Sequence, residues 1–149
     1  MRIFLIGYMG SGKSTLGQSL AAEFQFAFTD LDKAIEKRFG HDIPSIFAND
    51  GEQHFREMEK QVLLEVMEQD NVVIAVGGGT PCFFDNIDKM NQAGFTIYLK
   101  LSADSLTERL ESETENRPLL QHKSGSELHD FVAERLLERE PYYLKAHYK

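Results

Sequence analysis

The stretch from Arg2 to Thr15, RIFLIGYMGSGKST, decides the fold. Its first part is almost wholly apolar, as expected of a strand covered on both faces. It runs straight into Gly7, Gly12, Lys13 and Ser14, which satisfy G-x-x-x-x-G-K-[ST], and a helical pattern follows. Glycines let the chain turn through conformations closed to side chains. Successive N–H groups from Gly10 to Thr15 (Gly10, Ser11, Gly12, Lys13, Ser14, Thr15) can then converge on phosphate oxygens where the helix N-terminus adds its positive end. Lys13 offers a compact charge to the β and γ phosphates, and the Ser14 hydroxyl can sit on Mg²⁺. An ordinary glycine-rich turn is the alternative, but it accounts for neither the spacing nor the Lys-Ser pair. The stretch therefore reads as a nucleoside triphosphate site.

Working outward, three further runs rich in β-branched and aromatic residues read as strands: 26–30, 72–77 and 96–101. Helical patterns separate them. Leu16, Leu20 and Phe24, spaced by four, predict the apolar stripe of the first helix, and Gly17 between them suggests close packing on a sheet. Phe55, Val62, Leu63 and Val66 repeat the pattern over 52–68. Strands alternating with helices imply right-handed crossovers and an α/β fold with a central parallel sheet in three layers. Residues 112–125, polar with Pro118 and a closing glycine, read as a loop, and a last helix is expected from Leu128 to about Glu138, stopped by Pro141.

The 149 residues suit a single domain spanning 1–149. A formal charge of −8 argues against binding nucleic acid, so an anionic ligand requires a local basic pocket. No apolar run approaches membrane-spanning length. Cys82 is the one cysteine, which excludes an internal disulfide and fits a small packed side chain in a cytoplasmic protein.

Two carboxylates, Asp30 and Asp32, close the second strand at its carboxyl edge, where open α/β sheets hold ligands. Asp30 can steer Mg²⁺ and Asp32 can take a proton from an attacking hydroxyl, although both could instead cap the next helix. Gly77, Gly78 and Gly79 follow the third strand and present bare backbone to a small polar molecule; an ordinary turn with Thr80 as N-cap and Pro81 behind it is compatible. Arg56, Arg117 and Arg139 are each open to a bland reading, Arg56 as a surface partner of Glu52 four residues away.

Taken together, the phosphate loop, DLDKAIEKRFG at 30–40, IPSIF at 43–47, GEQHFREME at 51–59, GGG at 77–79, RPLL at 117–120 and EREPYY at 138–143 resemble shikimate kinase in order and spacing over nearly the whole chain. The resemblance implies a P-loop kinase fold with strand order 2-3-1-4 and a fifth strand beyond the end of this chain. It implies ATP as co-substrate, Mg²⁺ as cofactor, and γ-phosphate transfer to the 3-hydroxyl of shikimate; a monomer is expected. The substrate segment falls at about 31–60 and a lid loop at about 112–125. By the same match Asp32 is the base and holds substrate hydroxyls, while Arg56 and Arg139 clamp the carboxylate with a backbone contact from Gly78. Ile43, Phe47 and Phe55 form the apolar wall, Glu59 holds Arg56, Arg109 lies beside adenine, and Arg117 reaches the phosphates from the lid.

Kinases of gluconate or nucleoside monophosphates use the same loop, but GGG and the Phe55-Arg56 pair after IPSIF favour shikimate. A nucleotide-dependent switch would need neither the acidic pair nor the arginines.

Overall fold

The computed structural model describes residues 1–111 and 125–149; Arg117 and the expected lid, apart from Gly125, lie outside the described residues. Among the described residues four strands, β1 (Arg2–Ile6), β2 (Ala27–Asp30), β3 (Val72–Ala75) and β4 (Phe95–Tyr98), form one parallel sheet in the order β2-β3-β1-β4. This is the α/β topology and strand order expected. β1 and β3 are shorter at their carboxyl ends than the apolar runs, because Gly7 and Gly77 already belong to the turns that leave the sheet.

Seven helices connect and cover the strands: α1 (Lys13–Phe24), α2 (Leu31–Phe39), α3 (Ile43–Val66), a 3₁₀ turn (Thr80–Cys82), α4 (Asn86–Ala93), α5 (Ala103–Glu111) and α6 (Gly125–Tyr143) among the described residues. Alternation along the strands divides the core. Ile3, Leu5 and Val73 pack towards α1 with Ala21. Phe4, Ile6, Val72 and Ile74 pack on the other face with Leu31, Ile35, Val62, Leu63 and Ile87. A smaller cluster of Tyr8, Leu106, Leu110, Leu128 and Val132 ties α5 and α6 to the phosphate loop.

The face α1 presents to the sheet differs from the predicted stripe. Leu16 and Phe24 are exposed, Leu20 is partly buried, and Gly17 and Ala21 are the residues sealed against the strands. A Cβ at position 17 would stand 2.4 Å from the Phe28 ring, so the helix axis sits too near the sheet for larger side chains. The suggestion from Gly17 itself therefore holds, and the four-residue leucine pattern misleads.

Helix α3 contains a break at Gly51 (φ 82°), which separates the IPSIF turn from the long segment carrying Phe55, Arg56 and Glu59. Pro141 does not stop α6, which continues to Tyr143. Proline removes the bond to the carbonyl four residues back, here that of the highly exposed Leu137, where water can substitute. Beyond α6, Tyr98 N donates to Tyr148 O at 2.8 Å and Tyr148 N to Thr96 O at 3.0 Å. Tyr148 thus pairs in parallel along the free edge of β4, the place where a fifth strand would add.

Candidate active site

All four strands run parallel, so the β1, β2 and β3 carboxyl ends open onto the same side of the sheet. There Lys13, Ser14, Asp30, Asp32, Gly78 and Arg109 help to line a cavity of about 470 Å³. Gly12 is the N-cap of α1 with φ 94°, a conformation glycine adopts readily, and no side chain among the described residues caps the helix. Its first-turn N–H groups are therefore directed at whatever anion enters. The Lys13 ammonium donates to the carbonyls of Gly7 (2.6 Å) and Tyr8 (2.9 Å), which hold it over the loop. Arg109, on α5, reaches the loop from the other side, with Nη1 3.5 Å from Gly10 O.

Asp30 caps the next helix, one of the two readings open to it in the sequence, and also meets Ser14. One carboxylate oxygen caps α2 by accepting from Lys33 N at 3.3 Å, and the other accepts from the Ser14 hydroxyl at 3.2 Å. Asp32, in the first turn of α2, is half-buried with a face on the cavity. Desolvation, reinforced by the negative charges of Asp30 and Glu59, raises its pKa from 3.8 to about 6 against the opposing pull of Lys13.

The three glycines after β3 bring the remaining candidates together. An added Cβ would meet Asp32 Oδ1 at 3.0 Å from Gly77, Arg139 Nη1 at 3.2 Å from Gly78 and Arg56 Nη2 at 2.5 Å from Gly79. Each glycine is the close neighbour of one predicted acceptor residue. Arg56 is buried, not a surface partner of Glu52: that contact exists at 3.6 Å, but the shorter one, 3.0 Å, is to the sealed Glu59. Glu59 also accepts from the Thr80 hydroxyl at 2.7 Å, so Thr80 lies within the 3₁₀ turn and orients an acid; it is not the N-cap. Burial raises the pKa of Glu59, with Arg56 and the Thr80 bond opposing.

A family model described as shikimate kinase matches residues 9–149. A shikimate kinase of Parabacteroides distasonis is 50% identical over 145 residues, 97% of this chain and 84% of that protein. The chain belongs to the shikimate kinase family. The crystal structure of the shikimate kinase from Bacteroides thetaiotaomicron superimposes with a TM-score of 0.96 at 47% identity, covering 99% of this chain and 84% of that one. That of the shikimate kinase from Acinetobacter baumannii in complex with shikimate gives 0.90 at 36% identity, covering 99% and 80%.

Within this shikimate kinase framework, the packing of Phe83 on Arg56 had no signal in the sequence. The Phe83 ring centroid lies 4.1 Å from the Arg56 guanidinium and that of Phe55 at 5.2 Å, so the cation lies over two aromatic rings. Phe55 and Phe47 pack at 4.8 Å, and Ile43 and Phe47 border the same core, which puts the predicted apolar wall beside Arg56. The Tyr143 hydroxyl donates to Gly78 O. Spacing from Arg139 could have suggested this last contact, had the helix not been expected to end at Glu138.

The described residues hold no cluster of three or more His, Cys, Asp or Glu side chains able to bind a metal. The Ser14–Asp30 pair still suits Mg²⁺, which commonly takes one or two protein oxygens together with phosphates and water. None of the described helices is long and apolar enough to cross a membrane.

Proposed function

We propose that this chain transfers the γ-phosphate of ATP to the 3-hydroxyl of shikimate, giving shikimate 3-phosphate and ADP in aromatic amino-acid biosynthesis. The carrying observation is the glycine triplet after β3: Gly77 and Gly78 line the phosphate cavity, and a Cβ added at Gly77, Gly78 or Gly79 would stand 3.0, 3.2 or 2.5 Å from Asp32, Arg139 or Arg56 in turn. An acid next to a forked pair of guanidinium groups suits an acceptor with both a hydroxyl to deprotonate and a carboxylate to hold.

In this reading the 3-hydroxyl oxygen forms a bond to the γ-phosphorus as the bridging P–O bond to ADP breaks, and the hydroxyl proton passes to the Asp32 carboxylate. A pKa near 6 leaves Asp32 ionised at neutral pH yet basic enough to receive that proton. Lys13 and the α1 N-terminus stabilise the charge spreading over the phosphoryl oxygens. Ser14 and Asp30 would hold Mg²⁺, which supplies charge neutralisation at the phosphates. Arg109 is assigned to the nucleotide, and Arg117 to the phosphates on its motif alone. Arg56 and Arg139 bind the carboxylate, and Gly77, Gly78 and Gly79 give backbone contacts. The working form is taken as a cytoplasmic monomer, which sedimentation would check.

ADP formation with shikimate, gluconate and AMP in turn tests the assignment, with Lys13→Met as control. Shikimate-dependent turnover is expected; hydrolysis indifferent to every acceptor would defeat the kinase reading. Asp32→Asn should chiefly lower kcat and Arg139→Ala chiefly raise the shikimate KM, and the opposite pattern would mean that their roles are exchanged.

A further inference from the structure

We propose that Tyr143 is a positioning residue for the acceptor site: its hydroxyl ties the end of α6 to the Gly78 carbonyl and so fixes where the Arg139 guanidinium stands. This rests on the acceptor reading above. Tyr143 is fully buried, and its hydroxyl donates to Gly78 O across 65 residues of sequence. Arg139 is four residues earlier on the same helix, hence on the same face, and its Nη1 lies 3.2 Å from where a Gly78 Cβ would be. One helix face therefore grips one glycine twice, by a hydroxyl on its carbonyl and by a guanidinium against its Cα.

The grip is needed because α6 has a weak point between the two residues. Pro141 supplies no N–H, so the last turn of α6 lacks one of its own backbone bonds. Side chains compensate. The Tyr143 ring packs on Tyr98 at 5.0 Å, and the Tyr98 hydroxyl donates to Glu140 at 2.9 Å, which anchors the turn to β4. Tyr98 thus secures the helix end to the sheet, while Tyr143 alone of the two reaches the acceptor loop. Arg139 also contributes to the environment of the Tyr143 hydroxyl, offsetting part of the upward pKa displacement caused by burial.

The test compares wild type, Tyr143→Phe, Tyr98→Phe, Arg139→Ala and the Tyr143→Phe/Arg139→Ala double variant. Shikimate KM at saturating ATP, ATP KM, kcat and melting temperature are read for each. Phenylalanine keeps the ring and removes only the tether. We expect Tyr143→Phe to raise shikimate KM about tenfold while kcat and ATP KM stay within about twofold. In the Arg139→Ala background the same change should add less than about twofold, because the residue it positions is gone. Tyr98→Phe should lower the melting temperature without moving shikimate KM. An unchanged KM in Tyr143→Phe, an equal rise in ATP KM, full additivity with Arg139→Ala, or an equal KM rise in Tyr98→Phe would overturn the proposal. Wild-type turnover with shikimate reports separately on the acceptor reading, so failure of one is distinct from failure of the other.

Discussion

Replacing Asp32 by asparagine should make the ligand-free protein more stable at neutral pH and less active. Its carboxyl is displaced from 3.8 to about 6, first by desolvation and then by Asp30 and Glu59. An acid with a folded pKa above its unfolded value binds its proton more tightly when folded. Its ionisation is harmless below about pH 4, costs progressively more as the pH rises from 3.8 towards 6, and reaches its full cost above that. A displacement of roughly two pH units corresponds to about 3 kcal/mol. This is an upper figure, because Asp32 opens on the cavity and water screens part of the repulsion. The neutral amide still has to be desolvated, so about 1 to 3 kcal/mol should be recovered at pH 7.5. For a domain of this size that corresponds to a rise in Tm of roughly 3 to 10 °C. At pH 4 the gap between variant and wild type should shrink below about 1 kcal/mol. Thermal or urea unfolding at the two pH values measures both gaps. A gap that is the same at both, or an asparagine variant less stable at pH 7.5, would refute the claim that Asp32 is a strained anion.

The same carboxylate sets a pH profile: at saturating ATP, kcat/KM for shikimate should fall about tenfold per pH unit below the pKa near 6, as the base is protonated. Gly79→Ala, whose Cβ would stand 2.5 Å from Arg56 Nη2, should displace the guanidinium and raise shikimate KM at least about tenfold, with ATP KM unchanged in the same assays. Gly17→Ala should destabilise by about 1 to 3 kcal/mol in urea unfolding, since α1 must lift from Phe28 and Leu5. Phe83→Leu removes the ring stacked on Arg56 and should weaken shikimate binding by about 0.5 to 2 kcal/mol, seen by titration calorimetry, while leaving ATP binding alone.

Much of the phosphate half of the site was legible in the sequence because it is built locally. Gly7 to Thr15 are contiguous, and a strand, a permissive turn and a helix N-terminus suffice to make an anion cradle wherever they occur together. Short, nearly continuous apolar runs likewise announced the strands and, with the intervening helices, the parallel sheet. Errors arose where packing distance overrode periodicity. The leucine spacing in α1 pointed to the wrong face, because a helix seated closely on the sheet accepts glycine and alanine there and leaves Leu16 and Phe24 outside. Pro141 failed to end α6, because Leu137, whose carbonyl it leaves without a helical partner, is a highly exposed residue and tertiary contacts hold the last turn.

A triphosphate site at the end of β1 was thus readable from contiguous residues, and the spaced motifs pointed to the family. The candidate acceptor side could not be read that way: Asp32, Arg56, Gly79 and Arg139 are far apart along the chain and gather at one glycine turn because parallel crossovers bring the carboxyl ends of β2 and β3 side by side. Only there could Thr80 orient Glu59, Phe83 stack on Arg56 and Tyr143 seize Gly78. Backbone conformation follows from neighbouring residues, whereas desolvation, charge proximity and close approach depend on which distant groups the fold places in contact.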